Sequence, residues 1–145
     1  MRLVLDTNVL ISGLLWNGAP ARVLDRVDEG LDRLFISRAL LQELADVLAR
    51  PKFSKTFLRF QEDPRDLIAA VAARAILIEP KPFASVVILA DPADDRVLAC
   101  AATAGADYIV SGDNHLLRLG SFGSMPIVTP GDYLHSLGDK PRRTR

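Results

Sequence analysis

Arg2-Leu-Val-Leu-Asp-Thr-Asn-Val-Leu-Ile-Ser-Gly13 changes its hydrophobic period at the middle, and that change decides the fold. Arg2 to Asp6 is the short apolar run of a buried strand, whereas Thr7 to Leu15 carries apolar residues at helical spacing. Asp6 therefore falls where a strand ends and a helix begins. Working outward, Pro20 suits the first turn of a helix with Leu24 and Val27 on one face and Gly30 as its stop. Leu34-Phe-Ile36 reads as a second strand, and Ser37 can cap a helix from Arg38 to Arg50 that Pro51 halts. Residues 52–60 fit either a short helix or a loop. Asp63-Pro64 opens a helix through Arg74, and Ala75-Ile-Leu-Ile78 reads as a third strand. Val86-Val-Ile-Leu89 is either a strand or extended chain. Asp91-Pro-Ala-Asp-Asp95 opens a helix ended by Gly105, followed by a strand at Asp107 to Ser111, a short helix at Asn114 to Leu119 and a last strand at Pro126 to Thr129. Strands alternating with helices predict a three-layer α/β/α domain with a mainly parallel central sheet over residues 1–136. Residues 137–145 are expected to form a basic, disordered tail.

Composition narrows the function classes. Apolar residues make up 49% of the 145 and charged ones 25%, which supports a sizeable core and excludes disordered or collagen-like chains. No apolar stretch approaches the roughly 18 residues that span a bilayer, so a cytoplasmic protein with no membrane association is expected. A lone Cys100 can form neither an internal disulfide nor a thiolate zinc site and reads as a small buried group. Eighteen basic residues balance eighteen acidic ones, but Arg50, Lys52, Lys55 and Arg59 fall in one acid-free segment and Lys140, Arg142, Arg143 and Arg145 in the tail. The remainder of the chain is therefore strongly acidic.

Those acids are placed where ligands bind in parallel sheets, beyond the carboxyl ends of the strands. Asp6 closes the first strand, Asp113 follows Ile109-Val-Ser-Gly112, and Asp91, Asp94 and Asp95 precede the helix leading into that strand. Glu43 lies inside a helix, at the margin of a stripe formed by Leu40, Leu41, Leu44, Val47 and Leu48, where partial burial is expected. Carboxylates converging on one pocket repel one another unless a cation compensates. With oxygen ligands and no second Cys or His pair, Mg²⁺ or Mn²⁺ is the expected ion, and its chemistry suits phosphodiester hydrolysis. Singly, each acid also fits a bland role, such as Asp6 capping the next helix or Asp113 serving a turn. His115 fits a surface or capping role better than a catalytic one.

Four blocks together resemble the PIN-domain ribonucleases: Val4 to Gly13, Ser37 to Leu48 with Glu43, Asp91 to Ala99, and Ala104 to Asp113. The likeness runs from about Leu3 to Leu134 and is strongest to small prokaryotic members described as VapC-like toxin components of toxin–antitoxin pairs. It implies catalytic metal ligands at Asp6, Glu43, Asp95 and Asp113 that hold Mg²⁺ or Mn²⁺ while an activated water attacks RNA. Asp95 is preferred to Asp94 because Asp95-Arg-Val-Leu-Ala fits the register of the family's third acid. Asp94 and Asp91 then support the site or cap the helix, while Asn8 and Ser111 orient Asp6 or a water. An antitoxin protein and a homodimer are the expected partners.

The longer middle, residues 52–90, is not explained by those blocks. Arg50, Lys52, Lys55 and Arg59 could meet RNA phosphates, while Phe57 and Phe60 read more readily as a buried helix face. Trp16 is expected to anchor the first helical hairpin or an oligomer contact rather than to stack a base. The rival functions are a noncatalytic RNA- or protein-binding module and a phosphatase of the haloacid-dehalogenase type. The second would want an Asp two residues after Asp6, where this chain has Asn8.

Overall fold

The computed structural model describes residues 1–80 and 92–138. Strand β1 (Arg2–Leu5) leads into helices α1 (Thr7–Leu15) and α2 (Ala19–Asp28), and β2 (Arg33–Ser37) into α3 (Arg38–Leu48), α4 (Pro51–Phe60) and α5 (Pro64–Arg74). After β3 (Ala75–Ile78) come α6 (Pro92–Ala104), β4 (Tyr108–Val110), α7 (Asn114–Leu119), β5 (Ser121–Phe122), β6 (Met125–Val128) and α8 (Pro130–Ser136). The strands form one sheet in the order β3-β2-β1-β4-β6-β5, parallel throughout except for the β5–β6 pair.

Successive side chains of a strand point to opposite faces, so an unbroken buried run requires cover on both. Leu3, Val4 and Leu5 are all buried, as are Leu34, Phe35 and Ile36 on the neighbouring strand. The result is the expected three-layer α/β/α arrangement. Chain direction reverses its progress across the sheet between β1 and β4, and the crevice beyond their carboxyl ends is where such folds bind ligands. Register places the two strand ends together: Leu5 pairs with Val110, and the Asp6 N–H donates to the Val110 carbonyl at 3.1 Å.

Local chemistry sets the helices. Asp6, Ser37, Asp63, Asp113 and Thr129 each accept a hydrogen bond from a backbone N–H in the first turn of the helix they precede. At Gly13, α1 and α2 approach so closely that a Cβ would stand 2.7 Å from Leu24 Cδ1 and 3.0 Å from the Pro20 carbonyl oxygen. Cys100 is buried, and burial pushes its thiol up to about 12, which leaves it inert at neutral pH.

Several elements differ from the sequence expectation. Pro51 opens α4 rather than merely stopping α3, which ends at Leu48. The ambiguous segment is a helix because Phe57 is buried and Phe53 packs partly against the same core, with their rings 6.2 Å apart. Both β5 and α8 went unforeseen; they are short, and α8 is held by burial of Tyr133 and Leu134. The strand or extended chain expected at Val86 to Leu89, Asp91 and the basic stretch of the tail lie outside the described residues. Among the described residues, no helix is long and apolar enough to cross a membrane.

Candidate metal centre

The crevice beyond β1 and β4 is an open cleft of about 160 Å³ lined by Asp6, Thr7, Asn8, Glu43, Val47, Arg50, Asp94, Val97 and Asp113. Four carboxylates from four chain segments thus share one wall of the molecule. Asp6 is buried and held on every side: Val9 N–H donates to Oδ1 at 2.9 Å, Gly112 N–H to Oδ2 at 3.2 Å, and the Ser111 hydroxyl also donates to Oδ2. Ser111, buried beneath the cleft, in turn accepts from the Asp113 N–H at 2.9 Å. One hydroxyl therefore fixes the spacing between the two strand-end acids. Asp113 caps α7 by accepting from the His115 N–H at 2.7 Å, and His115 Nδ1 stands 3.5 Å from its carboxylate.

Glu43 reaches the cleft from the margin of the α3 stripe, half-buried beside Val47. Thr7 donates its hydroxyl proton to Glu43 Oε2 at 2.6 Å, and Arg96 Nη1 lies 3.5 Å from Oε1. Neither contact was legible in the sequence, because each joins segments at least 36 residues apart with no shared motif.

The family resemblance implies Asp95 as the third acid. Asp94, not Asp95, lines the cleft; Asp95 lines a separate small pocket with Ser37, Ala39, Pro80, Arg96 and Ala99. The reason is helical geometry. Consecutive residues are rotated by about 100°, so Asp94 shares its face with Val97, three residues on, while Asp95 shares another with Ala99, four residues on. Of the basic residues, Arg50 lines the cleft, whereas Lys55 and Arg59 line a different cavity.

Electrostatics fit a cation. Burial holds the Asp6 carboxyl above its ordinary value of 3.8; hydrogen bonds from Ser111, Val9 and Gly112 oppose that shift, and the Asp113 charge reinforces it. Asp94, Asp113 and His115 can each bring one ligand atom within 4.8 Å of the others. A buried carboxyl whose ionisation is disfavoured at Asp6, beside two further acids and a histidine that reach within ligand distance of one another, suits a divalent cation.

A family model described as "PIN domain" matches residues 2–115. A protein of Methanocaldococcus jannaschii, named "Uncharacterized protein MJ1680", is 28% identical over 120 residues, which cover 82% of this chain and 75% of that protein.

Proposed function

The chain belongs to the PIN-domain family, and on that premise we propose that it is a metal-dependent endoribonuclease that hydrolyses RNA phosphodiester bonds at the acidic cleft. The observation that carries this reading is the convergence of Asp6, Glu43, Asp94 and Asp113 on one open cleft. PIN domains are generally nucleases, and an open, polar, acidic cleft suits a polyanion only when a cation mediates the contact. Asp6, Asp94 and Asp113 would hold Mg²⁺ or Mn²⁺, with Glu43 at the cleft edge. A bound divalent ion supplies charge stabilisation at the phosphoryl oxygens and a lowered pKa for water.

The chain's own residues do the positioning. Ser111 and the Val9 and Gly112 amides aim both oxygens of Asp6. Thr7 orients Glu43, which sits within reach of the cleft and can accept a proton from an attacking water. Arg50 offers the cleft a positive charge for a phosphate. The finer reading is a cytoplasmic, dimeric, VapC-like toxin component held in check by an antitoxin protein.

The test is cleavage of end-labelled single-stranded and structured RNAs with Mg²⁺, Mn²⁺ or EDTA, with Asp94→Asn purified in parallel to expose contaminating nuclease. Cleavage that needs the metal and is lost in the variant is expected. Equal cleavage by both preparations would overturn the assignment.

Metal binding has a readout of its own. An ion that binds only the folded state at 100 times its Kd stabilises by about 2.7 kcal/mol, or roughly 5 to 10 °C in melting temperature. We expect a shift of that order for the wild-type protein with millimolar Mg²⁺ or Mn²⁺, and a clearly smaller one for Asp94→Asn. Equal shifts in both, measured by differential scanning fluorimetry, would place the ion elsewhere.

A further inference from the structure

Trp16 is half-exposed, at 47%, although a hairpin anchor would be covered. It lines a cavity of about 350 Å³ with Lys55, Thr56 and Arg59. On α4, Lys52, Lys55 and Arg59 recur at three- and four-residue intervals and so share one face, while Phe53 and Phe57 pack against the core. Among the described residues, none of Arg50, Lys52, Lys55 and Arg59 has an acidic partner within ion-pair distance. Cations without an acidic partner beside a half-exposed tryptophan suit a single nucleic-acid strand: phosphates take the charge and a base takes the ring.

Two helices join this cavity to the acidic cleft. At one end α1 presents Thr7 and Asn8 to the cleft, and at the other it stops just before Trp16. Likewise α4 is preceded by Arg50 in the cleft and carries Lys55 and Arg59 to the Trp16 cavity. The α1 path covers 9 residues of helix, about 13 Å, and the α4 path from Arg50 to Lys55 and Arg59 about 8 to 13 Å, a span of a few nucleotides.

We propose that Trp16, Lys55 and Arg59 form a nucleobase-stacking subsite that holds single-stranded RNA a few nucleotides from the scissile bond, with Arg50 and Lys52 guiding the backbone between. The strand's role as substrate rests on the nuclease reading; its binding here does not. A duplex would be excluded from the ring because its bases are already stacked on one another, so the subsite selects unpaired RNA.

Trp16 is the only tryptophan in the chain, so its fluorescence reports on this cavity alone. The wild-type protein in EDTA, which holds cleavage off, is titrated at low salt with a mixed-sequence single-stranded RNA, with an abasic strand of equal length, and with a duplex. RNA binding is followed in parallel by anisotropy. Quenching of Trp16 by the single strand, and little by the abasic strand or the duplex, is expected. Trp16→Ala should weaken single-strand binding by about tenfold while Trp16→Phe retains most of it. Removing both cations as Lys55→Ala with Arg59→Ala should lower the slope of log affinity against log salt by about 1.4. Bound RNA without quenching, equal quenching by the abasic strand, no binding at low salt, or an emission change driven by protein concentration alone would each overturn the subsite. The last would mean that Trp16 meets a second copy of the chain. An inactive protein that still quenches loses the nuclease reading and keeps this site, whereas an active one that does not quench loses only this site.

Discussion

Asp94→Asn is expected to lower metal-dependent RNA cleavage by at least about 100-fold, while Asp95→Asn stays within about threefold of wild type. The neighbouring residues are a matched pair: same side chain, same first turn of α6, one position apart. Only Asp94 lines the cleft with Asp6, Glu43 and Asp113. Even residues that merely support metal ligands cost 10- to 100-fold when replaced, so losing a ligand should exceed that range. Asp95 points to a pocket with Ser37 and Ala99, and its substitution changes no group in the cleft. Asn is isosteric with Asp, and both variants keep a side-chain oxygen at the start of the helix, so each should retain the wild-type circular dichroism spectrum. Initial rates at saturating Mn²⁺ on one RNA, with purified proteins, decide the matter. Loss of activity in Asp95→Asn with Asp94→Asn unaffected would move the metal centre to the other side of α6 and remove the geometric basis for the cleft.

That pair also marks where sequence reading stops. Periodicity located β1, α1, the Glu43 edge of α3 and the strand that ends before Asp113, because each is fixed by a local run of apolar residues. Choosing between Asp94 and Asp95 needs the rotation of α6 about its axis, which is set by what Val97, Leu98 and Cys100 bury rather than by the order of the acids. Motif register points to Asp95 for that reason, whereas the cleft is lined by Asp94. Segment 52–60 was ambiguous because its aromatic and basic residues alternate in sequence; only the helix sorts Phe53 and Phe57 inward and Lys52, Lys55 and Arg59 onto one face. The Thr7–Glu43 contact and the exposure of Trp16 depend on how α1, α3 and α4 pack together, information that no single segment contains.

Asp32 was invisible for the same reason, and its replacement should have the largest effect on stability outside the apolar core. In sequence it sits in Leu31-Asp32-Arg33, which reads as an ordinary polar turn. In the structure its side chain is fully buried, receiving Arg26 Nε at 2.8 Å and the Tyr133 hydroxyl at 2.7 Å, with the N-terminal amine 3.2 Å away. The cluster ties the start of β2 to α2 and α8. Burial alone would push the Asp32 carboxyl up, but hydrogen bonds from Arg26, Tyr133 and the amine overcome it and hold the group below its ordinary value of 3.8. Asp32→Ala leaves the buried Tyr133 hydroxyl without its acceptor and Arg26 without its counter-charge. Breaking a buried pair costs about 3 to 5 kcal/mol, and the partial exposure of Arg26 favours the lower figure. A fall in melting temperature of roughly 6 to 12 °C is expected. Substituting the set together, as Arg26→Met, Asp32→Leu and Tyr133→Phe, should cost less than Asp32→Ala alone, because no polar group is then stranded. The pH dependence has a definite sign. A depressed carboxyl means that the unfolded chain binds more protons between the folded and unfolded values, so this contribution to stability rises with pH there. It is complete well above 3.8 and disappears as pH falls through the folded value. In urea titrations, the gap between wild type and Asp32→Ala should therefore be full at pH 6 and close toward strongly acidic pH; a gap unchanged by acid would mean that packing, not charge, holds the cluster.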